Sequence, residues 1–102
     1  MSKKFDKLVR DKIPQIINEN GKSCKFRIAD RTEYRAKLIE KLMEETIEFI
    51  SEPSIEELAD IQEVIDALIV EHKWSSLKAA AQYKKVVRGG FQDRIILEEV
   101  SG

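Results

Sequence analysis

Residues 38–72 read LIEKLMEETIEFISEPSIEELADIQEVIDALIVEH, and their periodicity sets the architecture. A helical residue advances about 100° per step. On that wheel Leu38, Leu42 and Phe49 fall within roughly 40° of one another, the apolar stripe of a helix that buries one face. The same period recurs after Pro53, where Leu58, Ile61, Val64, Ile65 and Leu68 form a second stripe. Pro53 breaks the first helix. Ser54 followed by Glu57 has the capping-box spacing that starts the next one. Two amphipathic helices joined by so short a break are expected to pack as an antiparallel hairpin.

The acids within these stripes carry the chemistry. Glu45 lands inside the first stripe, and Glu48 lies one turn on, about 60° to one side. Glu44 falls well off the stripe. On the second helix Glu57 falls between Val64 and Leu68, with Asp60 at the stripe's edge. Glu63 and Asp66 share the spacing but point away. Carboxylates converging between facing helices are one way helical bundles build a metal site. Unpaired, they would be costly, because a buried carboxylate costs several kcal/mol and like charges raise each other's pKa. All-oxygen ligands favour Mg²⁺, with Mn²⁺ as a substitute, over zinc. The alternative is that Lys or Arg side chains neutralise these acids.

Outward from this hairpin, Asp30 or Thr32 caps the first long helix, which is expected to run to about Ser51. The second is expected from Ile55 to about His72. Pro14 suits the first turn of a short helix over Gln15–Asn20 that stops at Gly21. A further helix over Ser76–Arg88 stops at Gly89-Gly90. Lys25–Ala29 alternates like a strand, and Arg94–Val100 could pair with it. The expected fold is mainly all-α: an antiparallel helix bundle with an optional two-stranded β element, residues 1–102 forming one domain.

Composition agrees. Hydrophobic residues make up 42% and charged residues 36%, too apolar for a disordered chain and too charged for a membrane protein. No apolar run approaches the ~20 residues that span a bilayer, and the N-terminal residues lack the apolar core of a secretory signal. Cys24 is the single cysteine, so no internal disulfide is expected, and it is read as a small buried residue. A cytoplasmic location follows as the expectation. The net charge of −1 hides an asymmetry: residues 1–37 carry +6, residues 38–72 carry −10 and residues 73–102 carry +3. An acidic centre between basic arms suits a metal with a polyphosphate as well as simple self-complementarity. Arg10, Lys12, Lys84, Lys85 and Arg88 are the candidate phosphate-binding cations. Surface lysines are more often merely solvated. Trp74 and Phe91 are expected in packing or oligomer contacts, and His72 at a helix C-terminus. Nucleic-acid binding is disfavoured, since no recognition motif accompanies the basic residues.

Glu44-Glu45-Thr46-Ile47-Glu48 followed by Glu57-Leu58-Ala59-Asp60 resembles the EExxE…ExxD signature of the all-α nucleotide pyrophosphohydrolases, which include MazG, dimeric dUTPases, dCTP pyrophosphatases and phosphoribosyl-ATP pyrophosphohydrolase. Lys7-Leu8-Val9-Arg10-Asp11-Lys12-Ile13-Pro14 and Arg88-Gly89-Gly90-Phe91 resemble a subgroup of short MazG-like, phosphoribosyl-ATP pyrophosphohydrolase-like proteins. The resemblance implies Mg²⁺ held by Glu45, Glu48, Glu57 and Asp60. It implies hydrolysis of a nucleotide between the α- and β-phosphates to a monophosphate and pyrophosphate. It also implies a homodimer or higher homo-oligomer. Glu45 or Glu48 would orient or deprotonate the water. House-cleaning of non-canonical nucleoside triphosphates is the leading expectation and a phosphoribosyl-ATP-like substrate the alternative. The rival from another class is a non-catalytic helical interaction protein.

Overall fold

A computed structural model describes residues 4–102. Four helices follow in order: α1 (Ile13–Glu19), α2 (Arg31–Ser51), α3 (Ile55–His72) and α4 (Leu77–Arg88). Their starts follow from local chemistry. The Asp30 side chain accepts a hydrogen bond from the Glu33 amide at 2.8 Å and caps α2. Ser54 Oγ accepts from the Glu57 amide at 3.1 Å and caps α3. At the other end of α3, Lys73 takes a left-handed conformation (φ 57°), and the Trp74 amide reaches back to the Ile69 carbonyl at 3.0 Å. This closes the helix in the manner of a Schellman turn. Gly89, at φ 83° and ψ 174°, ends α4 in a region open almost only to glycine.

α2 and α3 are the one pair that packs extensively. They run antiparallel, since Arg35 near the start of α2 donates to Glu71 near the end of α3 at 2.7 Å. Leu38, Val64 and Leu68 are buried between them, and Leu8, Tyr34, Leu42 and Ala67 pack against this centre. Leu38 is the most deeply buried, at 1% exposure. Leu8 brings the segment before α1 onto the hairpin, and its basic neighbours come with it.

This core is small. Ile39, Met43, Ile47 and Ile50 recur at helical spacing on a second face of α2, roughly 130° round from the Leu38 stripe, and all are exposed. Tyr83, Val86 and Val87 on α4, and Phe91, Ile95 and Ile96 beyond it, are exposed as well. The Cα radius of gyration is 18.5 Å, with extents of 62 × 31 × 25 Å, against about 13 Å for a compact chain of this length. No helix among the described residues is long and apolar enough to cross a membrane.

Two expectations are corrected. Lys25–Ala29 and Arg94–Val100 form no strands; both run without regular secondary structure. A lone two-stranded ribbon is marginal without a third strand or a helix face to cover it, and both segments are almost wholly exposed. Cys24 lies beside the first of them and is exposed rather than buried.

Candidate metal centre

The site sits where the acidic turns of α2 and α3 face each other. Carboxylate oxygens of Glu45, Glu57 and Asp60 all lie within 4.8 Å of one another, and so do those of Glu44, Glu45 and Glu48. Glu45 belongs to both groups. Its place follows from the wheel: one helical face carries Leu38, Leu42 and Glu45 inward, and the glutamate is 7% exposed.

Glu45 is incompletely satisfied. Its Oε1 lies 3.3 Å from Lys41 Nζ, one turn earlier on the same helix. Its Oε2 is buried with no hydrogen-bond partner among the described residues, and Glu57 Oε2 shares that condition. An unsatisfied buried polar group costs about 1–3 kcal/mol, and more when charged. Burial pushes the Glu45 carboxyl above the usual glutamate range; the neighbouring Glu48 charge pushes the same way, while Lys41 opposes both.

The acids around it are held by cations from elsewhere. Lys7 Nζ donates to Glu44 Oε1 at 2.7 Å, and Lys41 lies 3.4 Å from Glu44 Oε2. The Lys7 hydrogen bond holds the Glu44 carboxyl below its usual range against the opposing effect of burial. Arg10 Nη2 donates to Asp60 Oδ1 at 2.8 Å, and this bond raises the guanidinium pKa. Lys7 and Arg10 therefore each tie one acid of one triad, with Leu8 between them packed on the core.

The donor set suits a hard divalent cation. Every donor atom is a carboxylate oxygen, the chemistry Mg²⁺ and Mn²⁺ prefer. Ligands on opposite sides of a Mg²⁺ ion stand about 4 Å apart, so a spread within 4.8 Å asks for less than about 1 Å of adjustment. The two orphaned oxygens of Glu45 and Glu57 are the observation in favour of such an ion, since exposed acid clusters alone are commonplace.

Of the expected ligands, Glu45, Glu57 and Asp60 come together across the hairpin, and Glu48 joins Glu45 and Glu44 on α2. Glu44, placed off the stripe by the wheel, is half-buried and part of the group. It enters because it stands one helical turn from Glu48, and Lys7 and Lys41 both reach it. Among the expected phosphate-binding cations, Arg10 reaches the acids. Lys12, Lys84, Lys85 and Arg88 are exposed and make no ion pair among the described residues. Lys41 could have been found from its i,i+4 spacing to Glu45. Lys7 carries no such signal, being 37 residues from Glu44.

Elsewhere, Glu71 pairs with Arg35 at 2.7 Å and Arg31 at 3.5 Å, and His72 stacks on Trp74 with ring centroids 4.2 Å apart. These contacts fix the far end of the hairpin and involve none of the acids of the site. No protein-family model matches the chain, and neither the curated proteins nor the solved structures give a significant match.

Proposed function

We propose that this chain is a Mg²⁺-dependent nucleotide pyrophosphohydrolase that splits the α–β linkage of a small nucleotide into a monophosphate and pyrophosphate. One observation carries the proposal: Glu45, Glu57 and Asp60 bring carboxylate oxygens within 4.8 Å of one another while buried oxygens of Glu45 and Glu57 have no hydrogen-bond partner among the described residues. The likeness of EExxE…ExxD to the all-α nucleotide pyrophosphohydrolases supports the same chemistry.

In this proposal Glu45, Glu57 and Asp60 hold Mg²⁺, or Mn²⁺ in its place, with Glu48 completing the set from the Glu45 side. When bound, the ion supplies charge neutralisation and polarisation of phosphate oxygens. Glu48 is exposed beside Glu45, so it can accept a proton from a solvent water as that water attacks phosphorus. Glu45 orients the same water from its buried position. Arg10 stands at the edge of the acids, where a guanidinium can grip a phosphate in two-pronged fashion. Lys12 lies two residues on. Unwanted nucleoside triphosphates are the substrate class of first choice, and a phosphoribosyl-ATP-like nucleotide the second.

A homodimer or higher oligomer belongs to the same proposal. The open α2 face and the exposed apolar residues of α4 and the tail leave much for a second copy to cover. Lys84, Lys85 and Arg88 lie on α4 and enter the site through such a copy.

A second reading has its own observation. Lys7, Arg10 and Lys41 already pair with Glu44, Asp60 and Glu45, as in a helical interaction protein whose acids are structural. The two differ in turnover. The purified protein is incubated with nucleoside triphosphates and phosphoribosyl-ATP, with and without Mg²⁺, and pyrophosphate release is measured. The enzyme requires Mg²⁺-dependent release that Glu45→Gln abolishes. Release from none of these nucleotides, with melting unaffected by Mg²⁺, would favour the interaction protein instead.

A further inference from the structure

We propose that Lys7 and Arg10 form a cationic strap that competes with a divalent cation for the acids of α2 and α3, so that ion binding frees the two cationic side chains from Glu44 and Asp60. This rests on the metal centre proposed above and adds how that centre is gated.

The strap spans Phe5–Lys12, which has no regular secondary structure before α1 begins at Ile13. Leu8 fixes it to the hairpin core. On one side of Leu8, Lys7 takes Glu44 of the α2 triad at 2.7 Å; on the other, Arg10 takes Asp60 of the triad spanning both helices at 2.8 Å. Further back, the backbone carbonyl of Asp6 accepts from Lys37 at 2.9 Å. The strap thus puts two positive charges on two acid groups that share Glu45, the same charge a divalent ion carries. Among the described residues, the buried Glu45 Oε2 accepts no hydrogen bond.

An ion ligated by Asp60 and the Arg10 guanidinium would be two cations on one carboxylate, and they repel. The side chains of Arg10 and Asp60 are 54% and 37% exposed, so their bond is weak enough to be exchanged, because partly exposed pairs are screened by water. Leu8 keeps the released cations beside the acids, where they can turn to an incoming anion. The segment therefore shields the acids before ion entry and supplies positive charge afterwards.

The test measures Mn²⁺ affinity by calorimetry on the full chain, for the parent protein and for Arg10→Gln, Lys7→Gln and Arg10→Lys, each checked for unchanged helical circular dichroism. Competition predicts that Arg10→Gln and Lys7→Gln each bind Mn²⁺ about 2- to 5-fold tighter, the fold-change of a partly exposed ion pair, and that Arg10→Lys stays near the parent. It also predicts that Mn²⁺ accelerates tryptic cleavage after Arg10, with a control peptide correcting for effects on the protease. Equal or weaker Mn²⁺ binding in both Gln variants overturns the strap and leaves the metal centre standing. Lys7→Gln serves here as a second variant acting on the other triad, should Arg10→Gln fail to fold. Absence of Mn²⁺ binding in the parent and in every variant overturns the metal centre and the strap with it.

Discussion

Replacing Glu45 by glutamine should stabilise the protein without metal and destabilise it relative to the parent with metal. Glu45 is 7% exposed, and its Oε2 has no hydrogen-bond partner. Relieving the burial of an unsatisfied charged oxygen is worth about 1–3 kcal/mol. Against that stands the i,i+4 contact with Lys41 at 3.3 Å, a pairing worth about 0.3–0.5 kcal/mol. The glutamine amide still buries polar atoms, so the lower end applies, and the net gain is about 0.5–0.7 kcal/mol. For a domain of this size that raises Tm by about 2–6 °C. If the proposed metal centre binds, saturating ion reverses the order: at a hundred times Kd the parent would gain about 2.7 kcal/mol, whereas the variant would lack the acid common to both triads. The sign with pH is also fixed. The Glu45 carboxyl titrates above its usual range because it is buried, so the folded chain holds a proton that the unfolded chain has released. Its contribution is full below the ordinary glutamate range and is lost as pH rises through the raised value. The advantage of glutamine should therefore grow as pH rises. The assay is thermal unfolding followed by circular dichroism, in EDTA and in Mg²⁺, at one protein concentration and several pH values. A variant that melts below the parent in EDTA at every pH would show the opposite, that Glu45 is a structurally satisfied group.

Leu38→Ala, at the one side chain buried to 1%, should cost about 2–5 kcal/mol, read as a fall in the urea midpoint. Asp30→Ala should cost about 1 kcal/mol through loss of the α2 cap, while Asp30→Asn should restore most of it. Glu44 behaves opposite to its neighbour in sequence. Its carboxyl is held down by Lys7, with Lys41 acting the same way, so the stability it contributes is present above the usual glutamate range and lost as pH falls through the lowered value; an acid titration of Lys7→Met should show that component reduced. Val87→Asp on the exposed face of α4 should lower the sedimentation coefficient of an oligomer while leaving helical content unchanged. An unchanged sedimentation coefficient would remove α4 from the interface.

The part of this protein legible in its sequence is the part that is local. The capping chemistry of Asp30 and Ser54, the break at Pro53 and the period of the apolar residues mark α2 and α3 almost to the residue, because each is set by neighbours within a turn or two. The same wheel puts Glu45 in the core-facing stripe and places Glu57 and Asp60 on the facing side of the next helix, since a short break forces a hairpin. What spacing could not give was the meeting of distant residues. Periodicity says nothing of where the coil before α1 will lie, so that Lys7 meets Glu44 and Arg10 meets Asp60 across 37 and 50 residues could not be read from spacing. Glu44 lies off the core-facing stripe yet within one helical turn of Glu48, so it joins that acid by local spacing. Alternation at Lys25–Ala29 and Arg94–Val100 suggested strands, yet a strand needs a partner at about 4.8 Å and a face to cover. The fold brings neither segment such a partner, and both remain irregular and exposed. Helices close their hydrogen bonds within themselves, whereas straps and sheets depend on where distant chain arrives.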